Sequence, residues 1–390
     1  MFRMGREEME EVSKVLESRA LFKVNNVNQE CQQAEDAMRN IFGCEHAILM
    51  TSGHAALAAA LVAMGIGPGD EVIVPAYTYI STAMAVLEAG AMPVIAEVDE
   101  TLTLCPIDTE KKITSHTKAI IPVHIQGFPC NMDALMALAE KYNLHVLEDA
   151  CQADGGSYHG KRLGTIGHTG ALSFNYFKII TAGEGGALLT NDRAFFERAL
   201  IYHDSSAIAY FGDQLKDFTT EQFCGTEYRT NEISAAVLRV QLGRLDGILA
   251  DLRKNKKYMM EALKDVCCFV PSNDPEGDCG TTLPIQFDTL EEAQAFAEAE
   301  EVKGSMPINT GKHIYRNWTP IMEKRGALHP LMDPFKFAAN QDIVPDYRAD
   351  MCQKSLDILS KVVYISVQPD WTKEELDIRI AQLKAALEKK

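Results

Sequence analysis

The chain has 390 residues, 46% of them hydrophobic and 24% charged, which suits a globular protein with one large domain and one smaller one. Its net charge of −17 argues against nucleic acid or an anionic membrane as partner, yet allows a local phosphate pocket. The ten cysteines form no C-x-x-C pair and no cluster with histidine at zinc-ligand spacing, so no metal site is expected and a reducing cytoplasm is the simplest setting.

Acids throughout the first twenty residues do not read as a signal peptide. The longest apolar stretch, Ala55 to Gly67, is too short and too glycine-rich to span a bilayer. Residues 6 to 20 read as a helix with Met9, Val12, Val15 and Leu16 on one face, and a second helix is expected from Gln29 to Phe42. A strand from Ala47 to Met50 then enters a Thr51-Ser52-Gly53 turn ahead of an alanine-rich helix. Ser52 suits the N-cap, and free N–H groups at a helix start attract an anion, which Gly53 lets approach closely. Tyr77 and Tyr79 follow the next strand, where a flat aromatic can stack on a ring. His124 ends a further strand and reads as structural. Strands alternate with helices from about 45 to 190, the signature of a parallel α/β sheet.

Within that region, Val146 to Asp192 carries the chemistry. An apolar run ends in Glu148 and Asp149, and a lone lysine, Lys178, stands between the apolar ALSF and the turn Gly183-Glu184-Gly185-Gly186. Ligands of parallel sheets collect beyond the carboxyl ends of the strands, which brings a carboxylate and an amine to one edge. Pyridoxal 5'-phosphate needs both: a lysine for its Schiff base and a carboxylate to keep its ring nitrogen protonated.

The segments VLEDACQA, LSFNYFK and GEGGALLTND resemble the DegT/StrS family of pyridoxal-phosphate-dependent sugar aminotransferases, within fold type I. The likeness runs from about Phe22 to the C-terminus. It implies a large domain with a mostly parallel seven-stranded sheet and a small C-terminal α/β domain. It also implies Lys178 as the Schiff-base lysine, Asp149 at the pyridine nitrogen, Gln152 near the ring hydroxyl, and Ser173 as a phosphate ligand. The phosphate falls against the backbone of Gly53 and His54, where threonine is usual at 54, and Tyr79 stacks on the ring. In such proteins the leading segment lies over the active site of a dimer, which makes Lys23 a substrate contact. An asparagine that reaches the neighbouring subunit's phosphate is replaced here by Glu227, whose charge would repel that group.

Past 190 helices dominate, with a start signal at Thr230-Asn231-Glu232. Arg229, just ahead of it, suits a carboxylate or phosphate. The expected divisions are an N-terminal helical segment at 1–21, a cofactor-binding domain at 22–248 and a small domain at 249–390. In the last, His313, Tyr315, Arg316 and Trp318 group as a candidate substrate wall, with His313 and Arg316 as its polar contacts. The resemblance implies a homodimer that moves an amino group from glutamate or glutamine to a keto or aldehydo sugar, nucleotide-linked or of the 8-oxo octulosonate type. The rival readings are a sugar dehydratase of the same superfamily and a cyclitol aminotransferase.

Overall fold

Runs such as Glu71–Pro75 (EVIVP) and Thr169–Ser173 (TGALS) are buried at every position, as strands covered on both faces must be. In the computed structural model, which describes residues 2–204 and 218–388, they belong to a seven-stranded sheet. Its strands are β1 (His46–Met50), β2 (Glu71–Pro75), β3 (Met92–Ala96), β4 (Thr117–Ile120), β5 (His145–Asp149), β8 (Thr169–Ser173) and β9 (Gly186–Thr190). Between β5 and β8, β6 (Ser157–Tyr158) and β7 (Lys161–Arg162) form a separate hairpin. The order is β1-β9-β8-β5-β4-β2-β3, and pairing is parallel except where β9 meets β1 and β8. The carboxyl ends of β1, β2, β4, β5 and β8 therefore share one edge with the start of β9.

Helices α1 (Arg6–Ser18) and α2 (Glu30–Phe42) precede the sheet, and α3 (Gly53–Ala63), α4 (Ser81–Glu88), α5 (Pro106–Lys112), α6 (Met132–Tyr142) and α7 (Arg193–His203) are interleaved with it. Alanine dominates α3, nine of whose eleven residues are buried, and the small side chains let it lie close against β8, β9 and α7. Ser52 caps it by accepting the Ala55 N–H at 3.1 Å. The start signal at Thr230-Asn231-Glu232 does open a helix, α8 (Glu232–Leu263), with Asn231 accepting the Ser234 N–H.

At 32 residues, α8 runs unbroken through 248 and 249, where the division between domains was expected. Beyond it, β10 (Cys268–Phe269), β11 (Thr282–Gln286) and β12 (Val362–Ser366) make an antiparallel sheet in that order. Around this sheet lie α9 (Leu290–Glu298), α10 (Thr319–Met322), α11 (Gln353–Ser360) and α12 (Lys373–Leu387). The segment before α10 is tied to the large sheet's edge: the Thr78 and Ile80 N–H groups donate to the carbonyls of His313 and Lys312, each at 3.0 Å.

Candidate active site

The shared strand edge opens into a cavity of about 650 Å³, lined among others by Gly53, Tyr79, Asp149, Gln152, Ser173 and Lys178. Asp149 is buried where β5 ends, and its orientation is fixed from both sides. One carboxylate oxygen accepts the Thr82 hydroxyl at 2.7 Å, and the other accepts the Cys151 N–H at 3.2 Å. Thr82 is in turn 2.7 Å from the Thr78 hydroxyl, one turn back along the start of α4. Glu148 beside it points elsewhere, accepting the N–H groups of Gly164, Ile166 and Gly167 and meeting His124 Nε2 at 3.1 Å. His124 Nδ1 accepts the Cys130 N–H, so both belong to the framework, as expected for His124.

Lys178 enters the cavity from the turn after β8, where its N–H donates to the Asn175 carbonyl at 3.0 Å. Across from it begins α3. Among the described residues, the N–H groups of Gly53 and His54 have no backbone or side-chain acceptor, so the helix presents two donors and its positive end to the cavity. A Cβ at position 53 would lie 2.7 Å from Cys151 Sγ and 2.8 Å from Ser173 Cβ, so only glycine lets the helix seat here. Ser173, buried at the end of β8, puts its hydroxyl beside that position. Burial pushes the Cys151 thiol well up, so it stays protonated and unreactive.

His54 also lines the cavity, and its Nε2 is 2.6 Å from Glu88 Oε2. Hydrogen bonds from His54 and, after the opposing effect of burial, from Tyr228 hold the Glu88 carboxyl below its ordinary range. Tyr79 is 40% exposed at the cavity mouth, its ring centre 5.5 Å from that of His313. Burial, with Lys178 and Lys312 close by, pulls the His313 imidazole down to about 4, so it is neutral near pH 7.

Several expected contacts lie elsewhere. Arg316 is exposed and outside the cavity lining, and Tyr315 and Trp318 are core residues: the Tyr315 hydroxyl donates to the Ala349 carbonyl at 2.6 Å and the Trp318 indole N–H to the Lys312 carbonyl at 3.1 Å. Rings whose polar tips are satisfied by backbone carbonyls pack inward rather than face a ligand. Lys23 is buried behind β1, donating to the Leu49 carbonyl at 3.0 Å and pairing with Glu35 at 2.9 Å. A buried ammonium needs such partners, so in its own protomer Lys23 does not reach the cavity. Arg229 pairs with Asp204 at 2.7 Å and with Glu227, and lies over the Phe22 ring. Glu227 is thus turned to a cation and also stands outside this cavity.

Sequence reasoning missed Thr82, Gln126, Thr281, Lys312 and Glu184, of which all but Thr82's support of Asp149 were hidden in loops. The i, i+4 pair Thr78 and Thr82 was the one local signal. Pyridoxal phosphate fits the residues present. Two helix-end donors and the Ser173 hydroxyl suit a phosphate, a fixed carboxylate suits a ring nitrogen, and an amine stands in the same cavity.

Residues 3–312 match the DegT/DnrJ/EryC1/StrS aminotransferase family. The chain is 43% identical over 204 residues to dTDP-3-amino-3,4,6-trideoxy-alpha-D-glucose transaminase from Streptomyces venezuelae, a match covering 52% of each protein. It is 40% identical over 232 residues to GDP-perosamine synthase from Caulobacter vibrioides, covering 58% of this chain and 60% of that one. The matches thus span between about half and three-fifths of these curated relatives. An aminotransferase from Psychrobacter cryohalolentis, of known X-ray structure, superposes with a TM-score of 0.79 at 28% identity, over 99% of this chain and 98% of that one. With the family's sequence features, its fold and a cavity shaped for its cofactor all present, the chain belongs to the DegT/DnrJ/EryC1/StrS aminotransferase family and its cofactor is pyridoxal phosphate.

Proposed function

We propose that this protein transfers an amino group from glutamate or glutamine to a keto or aldehydo sugar. The observation that carries the reading is the convergence of Lys178, Asp149 and the open start of α3 on one cavity. When bound, pyridoxal phosphate supplies a carbonyl carbon for an amine and a ring that delocalises the electron pair left when a C–H bond breaks. In this reading Lys178 tethers the cofactor through its amine. Its free amine would serve as the base that holds and moves the proton at the substrate carbon. Asp149, held by Thr82, keeps the ring nitrogen protonated, and the Gly53 and His54 N–H groups with Ser173 take the phosphate.

Tyr79 and the neutral His313 form the aromatic side of the mouth, where the substrate enters. Lys312, on the same rim, suits a carboxylate of the donor. A nucleotide-linked sugar is the favoured acceptor, because the names of both curated relatives carry one; an octulosonate-type sugar acid is the alternative to be run beside it. A homodimer is part of the proposal. Its support is the exposure of Tyr176 and Phe177, at 62% and 79%, immediately before Lys178 at the cavity mouth. In that arrangement Glu227, half exposed, is to be weighed against the partner's cavity rather than its own.

The test is to load the protein with its cofactor, convert it with glutamate or glutamine, and follow the return of the starting absorbance on adding sugars. Recovery with a nucleotide-linked keto sugar supports the assignment. Amine uptake without recovery by any keto sugar would contradict it.

A further inference from the structure

Gln126 has φ of 53° and ψ of 19°, the left-handed region that residues with a Cβ seldom occupy. Such a conformation persists only where the surroundings hold it, and here three bonds do. The Gln126 N–H donates to Gln152 Oε1 at 3.1 Å. The Gln126 carbonyl accepts the Thr281 hydroxyl at 2.7 Å, and its side-chain Oε1 accepts the Thr282 hydroxyl at 3.0 Å. Gly127, also left-handed, continues the turn, and a Cβ there would lie 2.6 Å from Cys279 Cβ. The Cys279 N–H closes the arrangement by donating to the Gly127 carbonyl at 3.1 Å. The segment leading into β11 thus fastens the turn after β4 on both its backbone and its side chain.

The consequence falls on Gln152. Its amide oxygen accepts the Gln126 N–H, which holds that end of the amide toward the Gln126 turn. The NH2 group is what remains for the cavity that Gln126, Gln152 and Thr281 all line. An amide free to rotate would offer either end; this one is turned so that its NH2 group points away from the Gln126 N–H. We propose that Gln126 is a positioning residue whose left-handed turn, fastened by Thr281 and Thr282, fixes Gln152 as a hydrogen-bond donor to the ring oxygen of the cofactor. The inference rests on the cofactor reading above. A donor at that oxygen stabilises its negative charge and so lowers the protonation midpoint of the neighbouring Schiff base.

The experiment is a pH titration of the visible absorbance of the cofactor-loaded protein. Gln126→Gly keeps the N–H and favours positive φ, and should leave the midpoint where it is. Gln126→Val disfavours the left-handed turn and should raise the midpoint by about one pH unit, as should Gln152→Met, which removes the donor directly. The other titratable groups facing Lys178, namely Tyr79, Asp149, Lys312, His313, Glu184, His54 and Cys151 in the cavity and Asp154 beyond it, are present in every variant. Should Gln126→Val not fold, Thr281→Val, which frees the Gln126 carbonyl, carries the same expectation. A wild-type midpoint in Gln126→Val, with Gln152→Met shifted, overturns the inference alone, as does an equal shift in Gln126→Gly. A wild-type protein with no visible Schiff base overturns the site assignment and this inference together.

Discussion

Asp149 shows how much a single side chain depends on its neighbours. Its carboxylate is buried, and the Thr82 hydroxyl donates to it at 2.7 Å. A hydrogen bond to an ionised group contributes about 1.5–3 kcal/mol, against about 1 kcal/mol for a neutral pair. Thr82→Val keeps the shape and removes the bond, so kcat should fall about tenfold or more with little change in thermal stability. Steady-state kinetics beside a melting curve separates the two effects; an unchanged kcat would mean Asp149 is oriented by something else. The same scale explains what was legible. That Asp149 and Lys178 come to one cavity could be read because each sits beside a strand end or a glycine turn that its own neighbours define. Arg316 and Trp318 could not, because whether an amphipathic side chain meets a ligand or a carbonyl is settled by the fold.

In the proposed site the element that takes the cofactor's phosphate is α3. Its capped start, its two open N–H groups and its alanine-lined body were all visible in the sequence, since capping and composition are local. The closeness of its approach was not, because the atoms that forbid a side chain at position 53 belong to Cys151 and Ser173, on later segments. Gly53→Ala must push the helix start off β8, because its Cβ would lie 2.7 Å from Cys151 Sγ and 2.8 Å from Ser173 Cβ, and such overpacking costs about 1–3 kcal/mol. The expected outcome is cofactor binding weakened about tenfold, measured by equilibrium dialysis, and a lower melting temperature. Unchanged affinity would place the phosphate away from this helix. The small sheet shows the converse. Its strands were foreseeable, but the Thr281 hydroxyl bonds a carbonyl 155 positions earlier, and no periodicity reports such a contact.

For the whole molecule, the parallel sheet, the cofactor edge and the succession of elements follow from the alternation of apolar runs with helical segments. The boundary expected at 248 and 249 falls inside α8, a 32-residue helix whose sequence carries no break there. One buried group should be visible in global stability. Asp154 is fully buried, and among the described residues no side chain bonds either of its carboxylate oxygens. Burial, opposed by Lys178 and reinforced by Asp149, pushes its carboxyl well above the ordinary range. The folded protein therefore binds a proton that the unfolded chain releases above about pH 4, and stability from this group is lost as pH rises toward the folded value. Asp154→Asn removes that slope, so the variant should gain on the wild type as pH rises from 4 to 8 in denaturant titrations. Parallel curves would show the acid to be ionised and solvated.

All of these effects presuppose that the amine at 178 is the cofactor's anchor. Borohydride reduction of the cofactor-loaded protein, followed by peptide mass spectrometry, tests this most directly. The account predicts a pyridoxyl phosphate adduct on Lys178, absent from Lys178→Ala, with no other lysine modified to a comparable extent. An adduct on Lys312 or Lys23 in place of Lys178, or a reduced protein carrying none, would contradict it.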